Sequence, residues 1–298
     1  MSPTLKEIAA AELAEPVQPR VTAMAEALAA QYPRAARAVL FYGSCLRERR
    51  LEGLMLDFYL IVSDYRAAYG KSWMATANRL IPPNVFPFQH EGLTSKYAVL
   101  SEADFARECS VKARSVSVWA RFAQPSRLVW AKDDGARDAA AAAVAEAAPT
   151  LFALTRPVMW GDARHDPLAV FRNGFSLTYG AELRAERKER PGSIVDADPE
   201  RYRRLGRVIL DVRPEDEEGR HGKPAMRAWR RRQIKGKALT ALRLAKASAT
   251  FAGGIEYIAW KINRHAGTEI VLKPWQRRWP LVAAITLLPR LLRRGAIR

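Results

Sequence analysis

Cysteine is nearly absent: Cys45 and Cys109 are the only two in 298 residues. Two thiols cannot build a disulfide framework, and such sparse usage suits a reducing compartment. Histidine is also scarce. His90, His165, His221 and His265 are scattered, with no pair at metal-ligand spacing, which argues against a zinc site. No G-x-S-x-G surrounds Ser44, so a serine-hydrolase elbow is excluded there. The opening stretch, "MSPTLKEIAAAELAEPVQPR", has neither an apolar signal core nor an Arg-rich, acid-poor transit character. A bacterial cytoplasmic protein is therefore expected. Internal repeats are lacking too. The apolar run between Pro280 and Pro289 falls far short of the roughly 20 residues a spanning helix needs.

What the chain does have is apolar mass and unevenly placed positive charge. Hydrophobic residues make up 49%, enough for a full core and probative against disorder. The formal net charge is +18, and from His221 onward there are 18 Lys/Arg against two acids, Glu256 and Glu269. The preceding 220 residues are almost neutral, with 31 Lys/Arg against 29 acids. Such a tail seeks a polyanion, either an anionic membrane surface or nucleic acid. Trp275, Trp279 and four arginines bracket the short apolar run, a pattern that fits a segment lying in the headgroup layer. A nucleic-acid arm has no use for that run, so nucleic acid is the less favoured partner. A buried terminal helix with a solvated Arg rim is the plain structural alternative. Charge-rich "RPEDEEGRHGKP" marks a boundary. The expected domains are 1–134, 135–220 and a basic segment, 221–298.

Residues 1–32 read as one or two helices broken near Pro16 and Pro19. Strands are expected at 37–42, 55–62 and 95–100. Ser101 should cap a following helix, with Asp104 three positions on. An Ala-rich helix should start near Ala136 and end at Pro149. Asp166-Pro167 and Asp198-Pro199 open two more helices.

Chemistry concentrates in "VLFYGSCLRERRLEGLMLDFYLIVSD". A strand ending in Tyr42-Gly43-Ser44 lets backbone approach a phosphate closely, because glycine has no side chain. The serine hydroxyl and exposed N–H groups can bind phosphate oxygens. Asp57 sits inside the apolar run "LMLDFYLIV", which reads as a central strand. A carboxylate there needs a compensating charge. Asp64, an odd number of positions further on, points to the opposite face and cannot join it.

A Gly-Ser turn followed by an Asp on the adjacent strand resembles the nucleotidyltransferase superfamily. Within it, "YGS", "MLDF", "VSD", "SKYAVLS", "VWARFAQPSRLV", "GFSLTYGAELR" and "RRQIKG" occur in the order of the mitochondrial-type phosphatidate cytidylyltransferases, over roughly residues 37–265. That family makes CDP-diacylglycerol from CTP and phosphatidic acid. It carries Asp-Phe-apolar where other nucleotidyltransferases carry Asp-x-Asp, matching Tyr59 at the second position here. Cys45 stands where the family usually has glycine, the Cys45–Gly53 loop is short and Arg-rich, and the segment before Ser95 is abbreviated.

The resemblance implies an α+β fold: a nucleotidyltransferase mixed sheet with helices, a mainly helical, winged-helix-like domain, and a basic amphipathic C-terminal helix. It implies that Gly43, Ser44 and Tyr97 hold the CTP phosphates and that Asp57 binds Mg²⁺. Lys96 becomes a candidate phosphate clamp and Glu182 a candidate extra carboxylate from the second domain. Arg184 and Lys235 become candidates for phosphatidate or phosphate binding. Trp73 is expected to pack, Asn78 has no assigned role, and the arginines at 230–232 could meet headgroups or face solvent. Partners would be CTP, phosphatidic acid and, on the inner face of the bacterial cytoplasmic membrane, an anionic lipid surface. Two other readings stand beside this one: a nucleotidyltransferase acting on RNA or another phosphorylated acceptor, and a non-catalytic membrane-bound relative.

Overall fold

The computed structural model describes residues 3–47, 51–70, 72–182, 192–212 and 222–250. The order is α1 (Leu5–Leu13), α2 (Pro19–Ala30), β1 (Ala36–Tyr42), β2 (Met55–Val62), α3 (Tyr65–Tyr69), α4 (Ser72–Leu80), β3 (Asn84–His90), β4 (Leu93–Ser101), α5 (Glu102–Cys109), α6 (Trp119–Phe122) and β5 (Ser126–Ala131). Helices alone follow among the described residues: α7 (Asp134–Ala145), α8 (Ala147–Thr155), α9 (Pro167–Tyr179), α10 (Gly192–Asp196), α11 (Pro199–Val212) and α12 (Lys223–Thr250), with short 3₁₀ turns between. The class is α+β.

The five strands are ordered β3-β4-β2-β1-β5, with β2 and β4 parallel and every other pair antiparallel. Side-chain alternation divides the sheet into two faces. On one, Ala38, Leu40, Tyr59, Ile61, Ala98 and Leu100 pack into a core shared with α1 and α5 through α9. On the other, Val39, Phe41, Phe58, Leu60, Tyr97 and Val99 meet the residues of α2. A sheet covered on both faces accounts for the near-continuous apolar character of β1 and β2.

Local chemistry sets the boundaries. Ser101 caps α5 by accepting from the Asp104 N–H at 3.2 Å. Asp166 caps α9, ahead of Pro167. Asp64, on β2's far end, accepts from the N–H groups of Arg66 and Ala67 and caps α3, away from Asp57. Each satisfies N–H groups that the first helical turn leaves without partners. The Ala-rich helix ends at Ala145, before the expected stop. Pro149 instead lies in the first turn of α8, where a missing N–H loses no bond. Strands β3 and β5 were not expected. β3 contains Pro87 and alternates half-buried with exposed positions, as an edge strand can.

α12 lies against this body along one stripe. Trp229 is buried edge-on to Trp119 and donates to the Leu154 carbonyl at 2.7 Å. Gln233 donates to the Leu177 carbonyl at 3.2 Å. Gly236 meets the Ala181 backbone so closely that a Cβ would overlap its carbonyl oxygen. Arg243 then reaches Pro82, Ser115 and Ser117. The steps of four, three and seven residues keep all four positions on one helix face.

Candidate functional site

The end of β1 and the start of β2 meet where Tyr42 pairs with Asp57. The chain leaves β1 through Gly43 at φ +96°, a conformation that side chains disfavour. A Cβ at Gly43 would stand 3.4 Å from Asp57 Oδ2, so the carboxylate faces the glycine turn. The turn continues as a 3₁₀ segment, Ser44–Arg47, with Ser44 exposed. Cys45 is buried, and its thiol contacts the Met55 carbonyl at 3.6 Å, which seats the turn on β2. The parallel register of β2 and β4 sets Asp57 beside Lys96. Lys96 Nζ lies 2.9 Å from Asp57 Oδ1, with both side chains about three-quarters buried. One carboxylate oxygen is thus turned to the glycine and the other to a cation.

Beyond Asp57 on the same face stands Tyr59, not a second carboxylate. Its ring is buried against Phe122 at 5.2 Å, Phe105 at 6.3 Å and Tyr42 at 5.3 Å. Burial raises the Tyr59 hydroxyl pKa, with Arg121 and Arg243 opposing the shift. Burial likewise lifts Tyr42 well above the usual tyrosine range. Asp57 and Tyr59 add to that shift, and Arg121 opposes it by charge and hydrogen bond. Both phenols therefore stay neutral hydrogen-bonding groups, and Arg121 borders both.

Glu182, which follows α9, arrives above this face. Its Oε1 accepts from Ser117 Oγ at 2.7 Å and from Arg121 Nη1 at 3.0 Å. Ser117 Oγ in turn accepts from Arg243 Nη1 at 2.7 Å. Arg243 also donates to the Pro82 carbonyl at 2.6 Å and to Ser115 Oγ at 3.2 Å. One turn along α12, Lys246 donates to the carbonyls of Ile81 and Pro83. Burial, with Arg243 adding to it, pushes the Lys246 pKa down to about 7. A chain of polar side chains results, running from the glycine turn through Asp57, Lys96 and Tyr42 to Arg121, Glu182, Ser117 and Arg243.

Gly43, Asp57 and Lys96 are brought together, Ser44 borders them, and Glu182 stands at the far end of the polar chain, on Ser117 and Arg121. Tyr97 does not join. It follows Lys96 on β4 and so points to the other face, where its hydroxyl lies 2.8 Å from that of Tyr32. Lys235 is exposed on α12 and outside the inward stripe. Arg184 lies outside the described residues, as does the basic segment from residue 251 on. Trp73 is half-exposed rather than packed. Asn78 is fully buried, donating to the Val99 carbonyl at 2.9 Å and accepting from the Asn84 N–H, so it pins β3 to its neighbours. Arg230 and Arg231 face solvent, while Arg232 lies over the Trp229 ring at 5.1 Å.

Sequence reasoning missed Arg121, Ser117, Arg243 and Lys246. A signal for Arg243 existed: it falls on the inward spacing that runs from Trp229 through Gln233 and Gly236. Among the described residues, no three His, Cys, Asp or Glu side chains converge as a metal cage. No helix among them is long and apolar enough to cross a membrane. No protein-family model matches this chain, and no curated protein matches it.

Proposed function

We propose that this chain is a CTP:phosphatidate cytidylyltransferase with a nucleotidyltransferase fold, making CDP-diacylglycerol and pyrophosphate at a membrane surface. The observation that carries the reading is the Asp57 carboxylate facing the Gly43 turn, with Lys96 on its other oxygen. A glycine in the left-handed region leaves space for phosphate oxygens, and Ser44 adds an exposed hydroxyl beside it.

The donor set suits Mg²⁺ shared with a substrate. That ion is commonly held by one or two carboxylates together with phosphate oxygens and water, not by an all-protein cage. Asp57 would hold it through Oδ2, and the bound ion would supply neutralisation of triphosphate charge. The absence of a second carboxylate at Tyr59 is compatible with that arrangement.

In the proposed reaction, a phosphate oxygen of phosphatidic acid forms a bond to the α-phosphorus of CTP, and the bond to pyrophosphate breaks. The nucleophile is anionic at neutral pH, so no strong base is required. The barrier is the meeting of two polyanions, and positioned cationic side chains lower it. Lys96, beside Asp57, and Arg121, beside Tyr42, would do that work. The basic C-terminal segment would bring the enzyme to its lipid, each Lys or Arg near an anionic surface adding about 1 kcal/mol.

The test is incubation of the full chain with labelled CTP, Mg²⁺ and phosphatidic acid vesicles. Labelled CDP-diacylglycerol is expected. A folded, vesicle-bound protein that makes none would reject the reading.

A further inference from the structure

Arg243 stands out by what it does not touch. Its three hydrogen bonds go to neutral oxygens: the Pro82 carbonyl, Ser115 Oγ and Ser117 Oγ. Among the described residues it makes no ion pair with a carboxylate. A guanidinium has five N–H donors, so its fork retains capacity for an anion. Removing a cation from water without a counter-charge is costly, and its burial here lowers its pKa.

Nearby charge does not resolve the imbalance. Glu182 binds Arg121 directly and reaches Arg243 only through Ser117, and Glu108 acts on Arg243 through charge with no hydrogen bond between them. Lys96 is matched by Asp57. Lys246, one turn beyond Arg243, supplies no negative charge, and Arg243 adds to the lowering of its pKa. Arg121 in turn borders Tyr42, which pairs with Asp57. The positive charge around Arg243 therefore lies on the α12 side of the same chain of polar contacts that reaches the glycine turn.

We propose that Arg243, with Arg121 beside it, forms a second phosphate subsite that takes the phosphate monoester of the acceptor. The identity of the acceptor as phosphatidic acid rests on the cytidylyltransferase reading; the subsite itself rests on the unbalanced guanidiniums. A planar fork reads a phosphate through paired N–H groups, a geometry that an ammonium group cannot reproduce. α12 leads directly into the basic C-terminal segment, so the subsite stands on the element joined to the expected lipid-seeking part of the chain. Donor and acceptor phosphates would then be held by different elements, β1 and β2 for one and α12 for the other.

Two arms test this on the full chain. In the binding arm, calorimetry without CTP uses inorganic phosphate and, separately, dihexanoyl phosphatidic acid. Wild type is expected to bind both, the lipid more tightly, and Arg243→Gln to weaken both about ten-fold or more, as loss of a charged hydrogen bond does. In the kinetic arm, Arg243→Gln is expected to raise KM for phosphatidic acid by a similar factor and leave KM for CTP unchanged. Unchanged phosphate affinity and unchanged phosphatidic acid KM would overturn the subsite. So would an equal rise in KM for CTP, which would put Arg243 on the donor. If wild type makes no CDP-diacylglycerol, the enzymatic reading falls and the binding arm alone decides the subsite. If Arg243→Gln does not fold, Arg243→Lys decides: it keeps the charge but not the fork, and wild-type affinity in it would overturn the proposal.

Discussion

Asp57 binds in two directions at once, toward the Gly43 turn and toward Lys96, and that makes its charge more telling than its shape. Asp57→Asn keeps the volume and a hydrogen-bonding oxygen for Lys96 but removes the negative charge. CDP-diacylglycerol synthesis by this variant is expected to fall by about 100-fold or more, the scale on which a preorganised electrostatic group acts. Vesicle flotation should be unchanged, because the basic segment is untouched. Lys246 gives a different readout. Its folded pKa, about 7, lies below the ordinary lysine value of 10.5. The unfolded chain therefore binds the extra proton between those limits, and stability rises with pH across that window. The penalty for the charged form is fully present below about pH 7 and is relieved as pH climbs toward the unfolded value. Denaturant unfolding of wild type and Lys246→Met at about pH 7 and about pH 9.5 should show wild type gaining on the variant. Parallel pH dependence in both would show that Lys246 does not carry the slope.

At the scale of elements, the position of α12 decides which of its many cations turn toward the body of the protein. Trp229, Gln233, Gly236 and Arg243 face inward, whereas Arg227, Arg230, Arg231, Lys235 and Lys237 face solvent. The closest approach is at Gly236, against the Ala181 carbonyl, next to Glu182. Gly236→Ala must lift the helix, since backbone cannot yield as a flexible side chain can. A loss of about 1–3 kcal/mol is expected, on the scale of overpacking. Thermal unfolding would measure it, and the same variant should lose activity through displacement of Arg243 and Glu182. Wild-type stability with wild-type turnover would show that α12 has slack at this point. The strands display a related limit of local reading. β2 was legible to the residue because β-branched and aromatic side chains fill it, and α5 because Ser101 caps it. β3 was not, since its polar positions and Pro87 suit an edge strand as well as a loop; Asn78 and the pairing with β4 hold it in place.

For the molecule as a whole, Glu12 on α1 and Arg201 on α11 tie these two helices together across 189 residues, at 2.5 and 3.0 Å. Arg201 also donates to the Ala123 carbonyl at 2.9 Å, and both partners are about nine-tenths buried. Glu12→Ala would leave a buried guanidinium without its counter-charge. A loss of about 3–5 kcal/mol is expected by denaturant unfolding, and a loss below about 1 kcal/mol would mean that water reaches Arg201 in the variant. The amino-acid order alone determined three of the five strands, the helix starts at Ser101, Asp166 and Asp198 and the basic bias after residue 220, while the α+β class and the pairing of Gly43 with Asp57 came with the family resemblance. The former are legible because caps, strand periodicity and net charge act over a few neighbouring residues. Only the tertiary structure decided that Tyr97 turns to the far face, that Tyr59 is sealed beneath Phe122, and that Arg121, Glu182 and Arg243 converge on Ser117. Those placements depend on strand register and on how closely α12 can approach the Ala181 backbone. Such contacts join residues far apart in the chain, as Glu182 and Arg121 are at 61 positions, and no local pattern encodes them.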